Sequence, residues 1–222
     1  IAAASIGRLL VSRGLSVDVQ PTYSPDGRWI AFVSDRSGAD NIWIVHPDGT
    51  GARQVSFGGD DTVLVSPAWT PDGQALYVSR FRWDMNGYEL WRHGLDGTEA
   101  RLVPVRAPGA SDDSGQSSLG AEVSPDGHHV YFARRRGVGN GSGPHQPDDW
   151  SIVRRDVDSG DEVTIVTEPA APGRQKYPGT YFRPALSPDG RYLAYATRFA
   201  GSTGLRLRHL ESGEDRWLAF PI

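Results

Sequence analysis

The chain has 222 residues, 38% of them hydrophobic, a formal net charge of -4 and no cysteine. That length holds one large all-β domain or two small ones with a real core, while the charge balance offers no basic footprint for nucleic-acid phosphates. No stretch approaches the ~18 consecutive apolar residues of a membrane helix, and disulfides and thiolate zinc sites are excluded. We therefore expect neither nucleic acid nor membrane insertion among its interactions. Position 1 is Ile, and we expect a processed chain or a piece of a longer one.

In chain order, Arg8 to Ser12 reads as a weak strand, so residues 1–16 are expected to end an earlier unit. Four full units follow, each built on one four-residue turn: Ser24-Pro25-Asp26-Gly27, Thr70-Pro71-Asp72-Gly73, Ser124-Pro125-Asp126-Gly127 and Ser187-Pro188-Asp189-Gly190. Proline presets φ for the turn, aspartate can bond the local backbone, and glycine accepts the positive φ with which a chain re-enters a sheet. Each copy is therefore a hairpin corner. A short apolar stretch precedes it, with Pro21, Pro67, Ala121 or Pro184 four residues before the turn proline. An apolar or alternating strand follows it: Trp29 to Ser34, Ala75 to Ser79, His129 to Ala133, Tyr192 to Thr197.

The third strands are Asn41 to His46, Tyr88 to His93, Trp150 to Asp156 and Leu205 to Leu210; the fourth are Ala52 to Phe57, Arg101 to Val105, Glu162 to Thr167 and Arg216 to Phe220. Val, Ile, Tyr, Trp and Phe fill these runs, and no amphipathic helix is evident. A unit repeated this way is an array. The predicted units span roughly 17–57, 66–105, 120–167 and 182–220. Turns between first and second and between third and fourth strands stay tight, whereas Arg135 to Asp149, Arg106 to Gly120 and Glu168 to Phe182 are long. The variable loops then share one face, where loop-built function would sit.

Four-stranded units with a Ser-Pro-Asp-Gly corner and Ile42-Trp43 or Leu90-Trp91 in the third strand resemble TolB-like β-propeller blades. The resemblance covers essentially the whole chain. It is most specific over Asp18 to Gly27 leading into Phe32 to Trp43, and Arg183 to Gly190 leading into Thr203 to Leu210. Both stretches look like the propeller half of bacterial amidohydrolase-family proteins. The resemblance implies an all-β propeller segment of four blades plus a trailing strand, further blades elsewhere, and a metal-dependent hydrolase barrel with a divalent ion, zinc for instance, outside this sequence. It implies a non-catalytic propeller that docks on the barrel and gates access, in a periplasmic or secreted protein. Two alternatives stand beside it: a TolB-like module that binds a protein or peptide, and the gating propeller of a prolyl-oligopeptidase-type serine peptidase.

No catalytic or metal constellation is expected within the chain. The metal sites of amidohydrolases need a His-x-His pair, which is absent; the histidines are His46, His93, His128, His129, His145 and His209. Gly139-Asn140-Gly141-Ser142-Gly143 departs from the Gly-x-Ser-x-Gly elbow and has no following helix. The acidic run Asp156 to Glu162 falls on a corner and reads as a turn. Trp43, Trp69, Trp91, Trp150 and Trp217 read as packing between blades. The candidate binding face is an arginine cluster after the second strands, Arg36, Arg80, Arg82, Arg134, Arg135, Arg136 and Arg198, expected to converge as a ring on the loop-rich face, where it could draw in a carboxylate substrate or hold an acidic partner surface. The competing reading pairs these arginines with Asp35, Asp84, Asp148 and Asp149.

Overall fold

The structure is a computed structural model and describes residues 16–84, 87–104, 116–136, 150–168, 184–199 and 202–219. These form four antiparallel sheets of four strands. The first blade comprises β1 (Asp18–Tyr23), β2 (Ile30–Ser34), β3 (Asn41–Val45) and β4 (Arg53–Gln54); the second β5 (Val63–Trp69), β6 (Ala75–Arg82), β7 (Gly87–Gly94) and β8 (Glu99–Val103). The third has β9 (Gln116–Val123), β10 (His129–Arg136), β11 (Trp150–Asp156) and β12 (Glu162–Glu168); the fourth β13 (Ala185–Leu186), β14 (Tyr192–Phe199), β15 (Ser202–His209) and β16 (Asp215–Ala219). Strands pair in chain order within every sheet, giving an all-β propeller arrangement of four blades. The predicted trailing strand before Ser16 lies outside the described residues.

The repeated turn closes the same way four times. In the first blade Gly27 N donates to Ser24 O at 2.9 Å, and Gly27 has a φ of +70° that disfavours any side chain. The Ser24 hydroxyl donates to the Asp26 carboxylate at 2.6 Å and accepts from Trp29 N at 2.9 Å, while Arg28 N donates to Asp26 at 3.0 Å. Thr70 with Asp72, Ser124 with Asp126 and Ser187 with Asp189 repeat this pattern. The hydroxyl is both donor and acceptor, which explains Ser or Thr before the proline.

Pro21 and Pro67 lie in β-bulges, and a third bulge precedes Ala121. The register jumps between Val19 and Thr22, between Val65 and Ala68, and opposite the step from Tyr131 to Ala133. The bulged residues Gln20, Ser66 and Gly120 have positive φ (58°, 59° and 69°). Pro21 and Pro67 follow directly, at a place where the ladder demands no N–H. Two of the twists aim a backbone N–H at the preceding blade: Ser66 N donates to Gln20 Oε1, and Gly120 N donates to Ser79 Oγ at 3.0 Å. Because these bulges extend the pairing upstream, β5 and β9 begin three to four residues before the predicted unit starts at 66 and 120. Regular pairing of β4 stops at Gln54, yet Val55 N still donates to Ile42 O at 2.8 Å.

Successive blades pack face to face. Ala31, Val33, Ile42 and Ile44 of the first meet Leu64, Trp69, Leu76 and Val78 of the second. Tyr77, Leu90 and Val103 meet Ala121, Val130, Phe132 and Val153; Tyr131, Ala133 and Ile152 meet Leu193 and Tyr195. Period-two alternation makes this possible, because each strand gives alternate residues to each neighbouring blade.

Candidate functional site

The described arginines of the cluster sit at the strand ends opposite the repeated turns, and those of blades one and three have partners within their own blades. Arg36 lies over Phe32 and Trp43 (4.9 and 5.0 Å to the ring centroids) and bonds both carboxylate oxygens of Asp18 at 2.9 Å. Arg134 is buried over Phe132 and grips Glu162 with two bonds of 2.5 and 2.9 Å. Arg155 shares that carboxylate at 3.1 Å. Burial opposes ionisation of Glu162, but the two guanidinium groups outweigh it and hold its carboxyl below the usual range. Both arginines are thus engaged inside their own blades. Arg135 lies half-buried on β10, and the side chains of Arg136 and Arg198 lie outside the described residues.

Blade two differs. Arg82 bonds Asp84 at 2.8 and 3.0 Å and Glu89 at 3.3 Å, while Arg80 lies over Trp91 at 5.3 Å. Both line a cavity of about 290 Å³, together with Asp61, Phe81, Trp83 and Asp84. Phe81 and Trp83 meet edge to face at 4.9 Å, and the Trp83 indole N–H donates to Asp61 O at 2.9 Å. Trp83 is 65% exposed. The cavity therefore joins the β4–β5 connection to the β6–β7 hairpin, at the end of the blade opposite the repeated turn. Of the predicted pairings with Asp35, Asp84, Asp148 and Asp149, the structure places Arg82 with Asp84; Asp148 and Asp149 lie outside the described residues.

Glu89 was not singled out by the sequence reading. It is fully buried, with one oxygen facing Arg82 and Arg101 (3.3 Å each) and the other accepting from Trp91 Nε1 at 2.9 Å. Alternation in Glu89-Leu90-Trp91-Arg92-His93 places this acid on the tryptophan's side and carried the signal. The tryptophans also divide: Trp69 is buried between blades, whereas half-buried Trp43, Trp91 and Trp217 support Arg36, Arg80 and Arg206. Among the described residues no three His, Asp or Glu side chains stand where they could hold a metal ion. The Gly139 to Gly143 stretch and His145 lie outside the described residues.

A stack of four-stranded sheets cornered by Ser/Thr-Pro-Asp-Gly turns defines a β-propeller of the TolB kind. The model for the TolB beta propeller domain matches residues 2–142, more than half of the chain, and the chain belongs to that family. Among curated proteins it is similar to the uncharacterized peptidase YuxL of Bacillus subtilis, 39% identical over 70 residues, spanning 31% of this chain and 10% of that one. It is also similar to the Tol-Pal system protein TolB of Desulfosudis oleivorans, 30% identical over 86 residues, spanning 38% of this chain and 19% of that protein. Its fold matches the crystal structure of TolB from Acinetobacter baumannii with a TM-score of 0.65 at 18% identity, covering 95% of this chain and 45% of that one. The chain thus spans about a tenth to a fifth of these curated relatives. These relatives are TolB proteins and peptidases, and none of them carries the amidohydrolase resemblance.

Proposed function

We propose that this chain is the recognition propeller of a longer polypeptide: it binds an extended peptide or protein segment on its loop face and performs no bond chemistry itself. The contrast between the two ends of the blades supports this reading. At the turn end, the serine, threonine and aspartate side chains are taken up by the turns. At the loop end lie the cavity of blade two, an exposed indole and guanidinium groups, the side chains enriched where proteins bind other proteins.

The match to a peptidase favours one version of this reading, a propeller that screens substrates for a serine hydrolase elsewhere in the same polypeptide. The amidohydrolase parent, with its divalent metal in the barrel, rests on the two quoted sequence stretches and is the other version. Export from the cytoplasm belongs to the proposal in either case.

The test compares the 222-residue chain with the longest product of its gene. The expected result is peptide binding without cleavage by the chain, and hydrolysis only by the longer product. Inhibition by a serine-directed fluorophosphonate identifies the peptidase version, and inhibition by a chelator the metal-dependent one. Cleavage by the chain alone, or no peptide binding by either protein, overturns the proposal.

A further inference from the structure

The connection from β4 to β5 holds one aromatic side chain out into solvent. Phe57 is 75% exposed, and the backbone on either side of it is tied to buried Asn41. The Ser56 hydroxyl donates to Asn41 Oδ1 at 3.0 Å and accepts from Ile42 N at 2.9 Å. Gly58 N donates to the same Asn41 oxygen at 2.7 Å, and Asn41 Nδ2 donates to Gly58 O at 3.3 Å. A single exposed phenylalanine on a free loop is ordinary. One held between two fixed residues has already lost the backbone freedom that binding would otherwise remove.

A second exposed ring is tied to the same connection. Gly58 lies against Thr62, where an added β-carbon would overlap the threonine side chain, and Thr62 N donates to Gly59 O at 2.8 Å. Residues 58–62 therefore form a closed loop. Its Asp61 O accepts the Trp83 indole N–H, and the Trp83 ring meets Phe81 edge to face, so this exposed ring is fixed as well. The loop between the two rings carries Asp60 and Asp61, both exposed and, among the described residues, with no hydrogen bond or ion pair at their carboxylates. The neighbouring guanidinium groups are directed elsewhere. Arg82 is held by Asp84 and Glu89, and Arg80 lies over Trp91 on the face toward blade one, which strand pairing makes it share with Val78 and Glu89.

We propose that this connection and Trp83 form a docking surface for an extended basic segment of a peptide, an arginine or lysine beside an apolar residue. The cation lies over the Trp83 indole, where the ring face and the two loop carboxylates attract it together. The apolar neighbour packs on Phe57. A segment with an acidic residue at that place meets repulsion from Asp60 and Asp61, and the chain's net charge of -4 works in the same direction. This rests on the peptide-recognition reading above and adds to it the ligand chemistry and the residues that select it.

The experiment is an NMR titration of the 222-residue chain that follows the tryptophan indole signals, with Trp83 assigned through Trp83→Phe. Three short peptides, each N-acetylated and C-terminally amidated, share one apolar residue and differ at a single position: arginine, glutamine or glutamate. A saturable shift of the Trp83 signal is expected with the arginine peptide, about tenfold tighter than with the other two and weakening as salt rises from about 50 to 300 mM. The double variant Asp60→Asn/Asp61→Asn should remove that preference, and Phe57→Ser should weaken binding of every peptide, while Arg191→Gln on the turn face changes neither. All of these positions are exposed, so urea midpoints should stay at the wild-type value. Equal binding of the three peptides, preference for glutamate, or an arginine preference that survives the double variant overturns the basic docking surface and leaves the loop-face reading standing. Self-association of the chain that Phe57→Ser abolishes overturns it as well, in favour of a second copy on this surface. No response to any peptide overturns the loop-face reading itself.

Discussion

Gly190 of the fourth blade rests on Pro125 of the third: a β-carbon at Gly190 would lie 3.1 Å from the proline Cδ, at a φ of +68°. Gly73 faces Pro25 and Gly127 faces Pro71 in the same way, at 4.0 and 3.9 Å. The repeated turn therefore does two things. It reverses the chain within a blade, and it seats that blade on the turn before it.

Gly190→Ala should destabilise the chain by about 1–2 kcal/mol from backbone strain alone, with an additional cost from the Pro125 contact. Gly97, at a φ of +89° with nothing within 4 Å of its virtual β-carbon, is the control and should show the backbone cost only. Urea midpoints of the two variants measure the difference. Equal midpoints would mean that the Gly190–Pro125 contact carries no weight.

Trp69 fills the interface between the first two blades and donates its indole N–H to Thr22 O at 3.1 Å. Trp69→Ala should cost about 3–5 kcal/mol. Trp83→Ala, on the exposed rim of the cavity, should change stability by about 0.5 kcal/mol or less while reducing peptide binding. Denaturation curves for both variants test the division between packing and recognition.

Replacing Glu162 by glutamine leaves the buried Arg134 without its charged partner. A loss of about 1–3 kcal/mol is expected. Glu99→Gln should cost less, because Glu99 is 41% exposed at its side chain and holds only a histidine. A double-mutant cycle with Arg134→Met isolates the coupling: the double variant should lose less than the sum of the two single losses.

His93 is buried, and burial holds its pKa below the ordinary 6.5, with the Glu99 carboxylate pulling weakly the other way. The unfolded chain then binds a proton more readily than the folded one, so stability rises with pH across this window. It should be complete above pH 6.5 and decline as pH falls below that value. His93→Asn should flatten the dependence measured by urea unfolding between pH 7.5 and 5.5. A second decline is expected at lower pH. Hydrogen bonds from Ser24, Thr70, Ser124 and Ser187 hold Asp26, Asp72, Asp126 and Asp189 below their ordinary 3.8. Their stabilisation is present above that value and is lost as pH falls through the depressed folded-state pKa values. Ser124→Ala should make this second loss smaller, because Asp126 then titrates closer to its ordinary value in the folded chain.

Local chemistry decided much of this protein in advance. Proline, aspartate and glycine at fixed spacing dictate a turn whatever surrounds them, and the alternation on either side dictates strands, so four blades were legible in the sequence. The positive φ at Gln20 and Ser66 was not, because it is stabilised by a neighbouring blade rather than by adjacent residues. The same holds for the arginines. Arg36, Arg80 and Arg134 look alike in the sequence, and only strand register decides that Asp18 engages the first, Glu162 engages the third, and Glu99 is diverted from Arg80 to His93. Which charges are paired is a property of partners distant in the chain, and tertiary packing sets it.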